Sequence, residues 1–514
     1  MNAVKMKQGI KRRRRRLTSG RALKYARVAV SLTLLALSTT LFITLTAEIA
    51  QKLHWVAAMQ IMPLAMAGAA TGIMIWILAT LMLGRVYCSW ICPMGVVQDI
   101  FARLNRLTRK RRFRHGYSFE PARNKFRYTW LTLIVGLGIA GISTAIAFFD
   151  PYSAFGRIGS ELLRPAWQWV NREPMWVASW LAFAVAIATL VLVAAIAWRS
   201  GRLICNTVCP VGSLLSIASR YPLMHFDIDT DVCVNCGLCN RVCKSKCIDL
   251  ADHVVDASRC VVCFNCVDVC HDRAIRYTFR RKQLSIPMMQ PTEPAAPTAT
   301  SSSAPTASGG AVKIDRRQFL ATGLILAATP MLAAVERRSE RIAAIGSGSK
   351  PMEGLKPAMP PGRKSVQTFL EKCTGCGLCV AHCPTKVLSP SAGRLGWTNM
   401  LHPVLDFDTA FCRYNCTNCT DLCPTGALLP LTIDEKHKFV IGTAVVEPAN
   451  CIGCGLCAAE CPRTAIKMKT RPANLPGPGK LLALVDSDRC IGCGACQNIC
   501  PAKPIKAIGV NGAS

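Results

Sequence analysis

Four stretches of the chain carry no charged residue over a length that matters: Val28–Ala47, Val56–Gly84, Tyr128–Phe149 and Met175–Trp198. About 20 apolar residues cross about 30 Å of hydrocarbon as a helix. The pattern therefore predicts an α-helical membrane bundle of four transmembrane helices over 28–224. A fifth apolar run ends at Val335. It is short, holds Gly323 and Pro330, and is only weakly hydrophobic, so it predicts a signal-anchor-like segment. Pro291–Gly310 is rich in Pro, Ala, Ser and Thr and cannot bury a core, which makes 281–314 a disordered linker. Beyond it the helical period fades. Leu401–Phe407 and Phe439–Val446 are the expected strands.

Charge then orients the bundle. The chain of 514 residues has 62 Lys and Arg against 29 Asp and Glu, a net charge of +33. Such an excess in a soluble protein suggests nucleic acid. Here the basic residues flank apolar segments, and no nucleic-acid-binding motif is present, so no nucleic-acid partner is expected. The tail 1–27 carries eleven Lys and Arg, and the loop from Arg103 to Arg127 carries ten against the single Glu120. The loop from Asp150 to Glu173 is balanced at three of each sign. The tail and the second loop are thus expected inside a bacterial inner membrane, and the third loop outside.

The cysteines supply the chemistry: of the 29, all but Cys247 fall into motifs, and Cys247 sits four residues beyond one. Cys373, Cys376, Cys379, Cys383; Cys451, Cys454, Cys457, Cys461; and Cys490, Cys493, Cys496, Cys500 each read C-x2-C-x2-C-x3-C-P. Cys412, Cys416, Cys419, Cys423 form a fourth motif, one residue longer at the front, and successive motifs start 39 residues apart. This is bacterial-ferredoxin spacing for [4Fe–4S] clusters, in which the Cys before Pro usually reaches the neighbouring cluster. Residues 365–510 are therefore expected to hold four clusters. Cys233, Cys236, Cys239, Cys243 and Cys260, Cys263, Cys266, Cys270 make a two-cluster module over 225–280. It departs from the pattern at Lys244 and His271, where Pro is usual. With crossed ligands, Cys270 joins the first trio, and Cys243 or Cys247 joins the second. Disulfides suit short secreted domains, and zinc ribbons use two pairs rather than trios, so both fit this spacing poorly. About six clusters are expected, in two small α+β ferredoxin-type domains. No C-x2-C-H marks a covalent haem, and no glycine loop marks a nucleotide. GLGIAG at Gly136–Gly141 lies in an expected span and reads as helix packing.

Two further pairs, Cys88, Cys92-Pro93 and Cys205, Cys209-Pro210, sit in GRVYCSWICPMG and GRLICNTVCPVG after the second and fourth apolar stretches. The repetition indicates an internal duplication. The four thiols can converge on a seventh metal centre, act as redox dithiols, or be inert residues at helix ends. Asp315–Leu320, DRRQFL, resembles a twin-arginine export signal carried on Arg316 and Arg317, giving a signal segment over 315–336. Clusters are assembled in the cytoplasm, so a four-cluster domain must cross already folded. Glu48 and His54, at the expected outer edge, are candidates for taking protons.

Together these residues carry a family resemblance. The four-helix part with its paired C-x3-C-P motifs and two-cluster module resembles NapH, the membrane quinol-dehydrogenase subunit of periplasmic nitrate reductase systems. Residues 315–510, and FCRYNCTNCTDLCPTGAL at Phe411–Leu428 above all, resemble its partner NapG and the methylamine-utilisation ferredoxin. The membrane half is also similar to the regulator NosR and the assembly protein CcoG. The resemblance implies an electron carrier, or a component of a quinol dehydrogenase, taking electrons from the membrane quinol pool to a periplasmic reductase or cytochrome. A metal-reducing assembly factor and a redox regulator are the alternatives it leaves. The outer loop is too short for the flavin domain a NosR-like regulator carries, and no Met-rich or His-rich tract favours metal delivery.

Overall fold

In the computed structural model the described residues are 2–44, 46–108, 116–173, 176–279 and 349–513, with backbone alone for 2–20. The linker 281–314 and the twin-arginine-like segment 315–336 lie outside them.

Among the described residues two helices are long and apolar enough to cross a membrane: Arg21–Ile43 and Trp180–Ser200. Only 28% and 33% of their apolar windows are buried within the chain, unlike the core helix of a soluble domain. The other two expected spans are each broken. Val56–Gly84 resolves into the end of Ala47–Ala58, then Ile61–Ala67 and Ala70–Leu83. Pro63 cannot donate in a helix interior and sits in the first turn of the middle piece, while Gly68 ends it at φ +73°. The freed backbone groups find side chains. Trp76 Nε1 donates to the Met59 carbonyl at 3.0 Å, and the Ile61 N–H donates to the Tyr87 hydroxyl at 3.4 Å. Tyr128–Phe149 breaks at Gly141 (φ +82°) into Asn124–Ile139 and Ser143–Phe149. Within the glycine-rich segment, a Cβ on Gly138 would meet Ile146 across the break, whereas Gly136 faces open space.

The balanced loop after Phe149 is not an open loop. Pro151–Ile158, a π-helical turn Gly159–Leu163 and Arg164–Val170 form one largely buried rod. Asp150 caps it by accepting from the Ser153 N–H at 2.7 Å.

The two cysteine-rich modules are small α+β units. In the first, Met224–Ile228 pairs antiparallel with Ile275–Phe279, and Phe226, Phe264 and Tyr277 pack together in edge-to-face and tilted contacts. In the second, three two-stranded ladders pair Leu388–Pro390 with Pro403–Leu405, Gly442–Val446 with Ile508–Gly512, and Ile466–Thr470 with Leu481–Val485. The strand expectations at 401–407 and 439–446 are met in shortened form. The Ile466 hairpin and the helix Ile433–Lys438 were not foreseen.

The modules dock at opposite ends of the helix Arg21–Ile43. Arg21 and Lys24 form ion pairs with Asp268 of the first module. At the other end, His382 Nε2 of the second module meets the Leu41 carbonyl at 2.8 Å. From Lys24 to Leu41 is about 25 Å along a helix. The contacts around each end agree. Tyr277 donates to Leu83 and the Arg202 N–H to Lys244 near the first module, while Ser143 meets His402 and Gln51 reaches Asp421 near the second.

Candidate functional site: six thiol nests and a buried cysteine pair of pairs

The C-terminal motifs fold so that each C-x2-C-x2-C trio faces the last cysteine of another motif. One apolar hollow is walled by Cys412, Cys416 and Cys419 with Cys383 and Pro384. A second is walled by Cys451, Cys454 and Cys457 with Cys500 and Pro501, and a third by Cys490, Cys493 and Cys496 with Cys461 and Pro462. Cys423 acts electrostatically on the thiols of Cys373, Cys376 and Cys379. The first and second motifs thus exchange their fourth cysteines, as do the third and fourth. A trio winds around residues such as Gly375 and Gly377, at φ +59° and +77°. The first module does the same. Cys233, Cys236 and Cys239 stand with Cys270, and Cys260, Cys263 and Cys266 with Cys243.

Cys247 sits beside that last nest. Its Sγ is 3.5 Å from Cys243 Sγ, and it also bonds Cys260. The bond with Cys247 holds the Cys243 thiol down at about 7, while Cys247 is raised well above an ordinary thiol. Elsewhere burial pushes thiols up: Cys239, Cys457 and Cys493 to about 11 and Cys376 to about 12. A buried thiolate is costly alone and needs a cation to stabilise it. Iron supplies that. Among the described residues no three His, Cys, Asp or Glu are spaced for a single metal ion. A cubane asks for wider spacing, because each thiolate binds a different iron. An apolar hollow ringed by four thiols fits the cluster, whose chemistry when bound is one-electron exchange.

Lys436 is a site residue that sequence reasoning missed. Its Nζ donates to Cys412 Sγ at 3.4 Å, to the Arg413 carbonyl at 2.8 Å, and to the Cys416 carbonyl. A capping box, Thr432 with Glu435, starts the short helix that carries it. That T-x-x-E was the available signal.

The C-x3-C-P pairs converge. Cys88, Cys92, Cys205 and Cys209 are buried and act on one another electrostatically. A symmetric lock holds them. Arg85 Nη2 donates to the Cys205 carbonyl at 2.9 Å and approaches Cys88 Sγ at 3.7 Å, and Arg202 Nη1 donates to the Cys88 carbonyl. Each Gly-Arg arginine therefore braces the opposite repeat. In each Cys-Pro-x-Gly, the glycine lies against the carbonyl of its own first cysteine: a Cβ on Gly95 would strike Cys88 O, and one on Gly212 would strike Cys205 O. Arg202 also pairs with Asp99 at 2.9 Å, as do Arg27 and Lys244. One continuous buried core contains Cys88, Cys92 and Cys209 together with Val261 of the first module and Leu378 and Leu422 of the second.

Glu48 and His54 are not brought to a thiol nest. Glu48 is exposed, and His54 is half-buried with its Nε2 unpartnered and its basicity lowered by burial.

Comparison with known proteins finds iron–sulfur families on the same segments. The 4Fe-4S binding domain family matches residues 65–113 and 174–228, which span the two C-x3-C-P pairs. The 4Fe-4S dicluster domain family matches 372–427 and 432–503, each of which holds one pair of motifs with exchanged cysteines. The chain is similar to the ferredoxin-type protein NapH of Escherichia coli (28% identical, over 41% of this chain and 68% of that one). It is also similar to the regulatory protein NosR of Pseudomonas aeruginosa (26%, over 38% and 25%) and to the methylamine utilization ferredoxin-type protein MauM of Methylobacillus flagellatus (31%, over 24% and 55%). The chain spans a quarter to about two thirds of the length of these relatives. No solved structure matches it. The chain is thus an iron–sulfur electron-transfer protein, similar to NapH and related to the NosR and methylamine-utilisation group.

Proposed function

We propose that the chain is a transmembrane relay that passes electrons from quinol through its [4Fe–4S] clusters to a periplasmic redox partner. The observation that carries this is the docking of the two modules at opposite ends of one apolar helix, with the buried cysteine pairs in the core between them. On this reading the two helices Arg21–Ile43 and Trp180–Ser200 cross the bilayer, and the broken stretches 61–83 and 124–149 make the other two crossings. Exposed Met74, Ile75, Leu78, Val135, Ile139, Val191 and Leu192 suit a lipid-facing belt. Broken backbone is tolerated at that depth only where protein covers it, and Trp76 and Tyr87 cover the first break. The twenty-four motif cysteines hold six clusters. Cys88, Cys92, Cys205 and Cys209 hold a seventh centre, which the 4Fe-4S match over both pairs supports. Cys247 supports Cys243 from behind.

Residues 1–27 and 225–280 are cytoplasmic on this reading, and 365–510 are exported through Arg316 and Arg317. A reporter that fluoresces only after folded export, fused after Ser514, tests it. Export in the native chain that Arg316→Lys/Arg317→Lys abolishes is the expected result. A cytoplasmic signal in both chains would put all six nests on one side and end the transmembrane reading.

A further inference from the structure

Beside the first module lies a polar cavity that no relay step uses. It opens where the helix Trp180–Ser200 ends, with Ser200 and Leu203 in its wall. Arg123, Lys244, Lys246 and Arg259 line it, and Glu120 is the one carboxylate among the lining residues. The pairs around it do not balance. Lys246 takes Glu120 and Arg259 takes Asp256. Lys244 must share Asp99 with Arg27 and Arg202. Arg123 forms no ion pair among the described residues. Ser245, also in the wall, is buried, and its hydroxyl has no partner. Arg123 is exposed, but Lys244, Arg27 and Arg202 are buried with one carboxylate among them; that imbalance and a buried hydroxyl without a partner are both unfavourable unless an anion with acceptor oxygens completes the site.

We propose that this cavity binds a phosphate group at the inner membrane surface, presented by an anionic phospholipid headgroup or as free phosphate. Guanidinium and ammonium groups match phosphate oxygens in charge and geometry, and the Ser245 hydroxyl adds a neutral donor. The position at a helix end favours the lipid, because the cytoplasmic leaflet is the anionic one and basic pockets between helices there take lipid headgroups. Only this last step rests on the membrane reading above. Occupancy would tie the loop at Arg123 to the Lys244–Lys246 turn and so fix the first module against the bundle.

The test uses the full chain with its clusters loaded, in non-ionic detergent, so that cluster charge is present. Phosphatidylglycerol, phosphatidylcholine and inorganic phosphate are titrated in turn, read by native mass spectrometry and by thermal unfolding. A one-to-one phosphatidylglycerol adduct, about fivefold or more tighter than phosphatidylcholine, is expected, the discrimination that one basic residue near an anionic headgroup provides. Arg123→Gln/Ser245→Ala should erase that preference with iron content unchanged. Protection by phosphate equal to that by the lipid assigns the site to the free ion, and protection by the lipid alone assigns it to the headgroup. Equal binding of both lipids with no effect of phosphate overturns the proposal, as does a preference that survives the double substitution. Because the titration is indifferent to orientation, the topology reading can fail without it.

Discussion

At the residue scale, the exchange of fourth cysteines has a direct consequence. If Cys383 serves the nest of Cys412, Cys416 and Cys419, Cys383→Ala should expose those three thiols and leave Cys373, Cys376 and Cys379 protected. Alkylation of the folded protein followed by peptide mass spectrometry reads this. Labelling of Cys373 to Cys379 instead would mean that each motif closes on itself. Lys436 acts on the same nest. Its ammonium, 3.4 Å from Cys412 Sγ, favours the more negative, reduced state of a cluster held there. Lys436→Met should lower that cluster's potential on the order of 50 mV, since charge and hydrogen bonds at the sulfurs set it. A redox titration followed by electron paramagnetic resonance measures the change, and an unaltered potential would refute the role. The cysteine nests were legible because their spacing is local and chemical. Lys436 was not, since a lysine in a polar stretch reads as solvated until the fold brings it onto a sulfur.

At the element scale, the duplicated Gly-Arg and Cys-Pro-x-Gly units explain themselves as two halves of one lock. Gly212 lies against the Cys205 carbonyl with Arg85 close by. Gly212→Ala should therefore destabilise the protein by about 1–3 kcal/mol, the usual range for overpacking. Gly136→Ala is the contrast. Its Cβ meets nothing within 4 Å, and in a helix it should be neutral or stabilising by up to about 1 kcal/mol. Thermal unfolding of the two variants in detergent compares them, and equal losses would deny the lock its close approach. The same elements show what the pattern of apolar residues could not convey. Counting uncharged residues found the right stretches but took Val56–Gly84 and Tyr128–Phe149 as continuous. Pro63, Gly68 and Gly141 were the visible breakers, yet a break is stable only if distant side chains such as Trp76 satisfy it. The rod Pro151–Val170 was hidden for the same reason. Its charges balance as in an outer loop, and only tertiary packing buries it, against Phe42, the helices Pro93–Thr108 and Trp180–Ser200, and the second module.

At the scale of the whole molecule, a relay needs two open ends and a closed middle, and the burial of the cysteines has that form. All four C-x3-C-P thiols are buried. Of the 29 cysteines only Cys236 and Cys454 are exposed, one in each module. Around Cys454 stand exposed Ile452, Leu456 and Leu481, with exposed Lys467, Lys469 and Lys480 on the adjoining hairpin. An apolar centre beside basic residues suits a brief encounter with a partner that is acidic around its own redox group. Such an encounter is steered by charge and weakened by salt. Ferricyanide, an anion that does not cross membranes, probes the surface from outside. In spheroplasts its reoxidation of the reduced chain should slow several-fold in Lys467→Glu/Lys469→Glu at low ionic strength. The difference should fade as salt rises, and hexaammineruthenium, a cation, should respond in the opposite sense. A rate that ignores both the substitutions and the salt would move the exit away from Cys454. No access of ferricyanide to any cluster from outside would instead strike at the export of the whole second module.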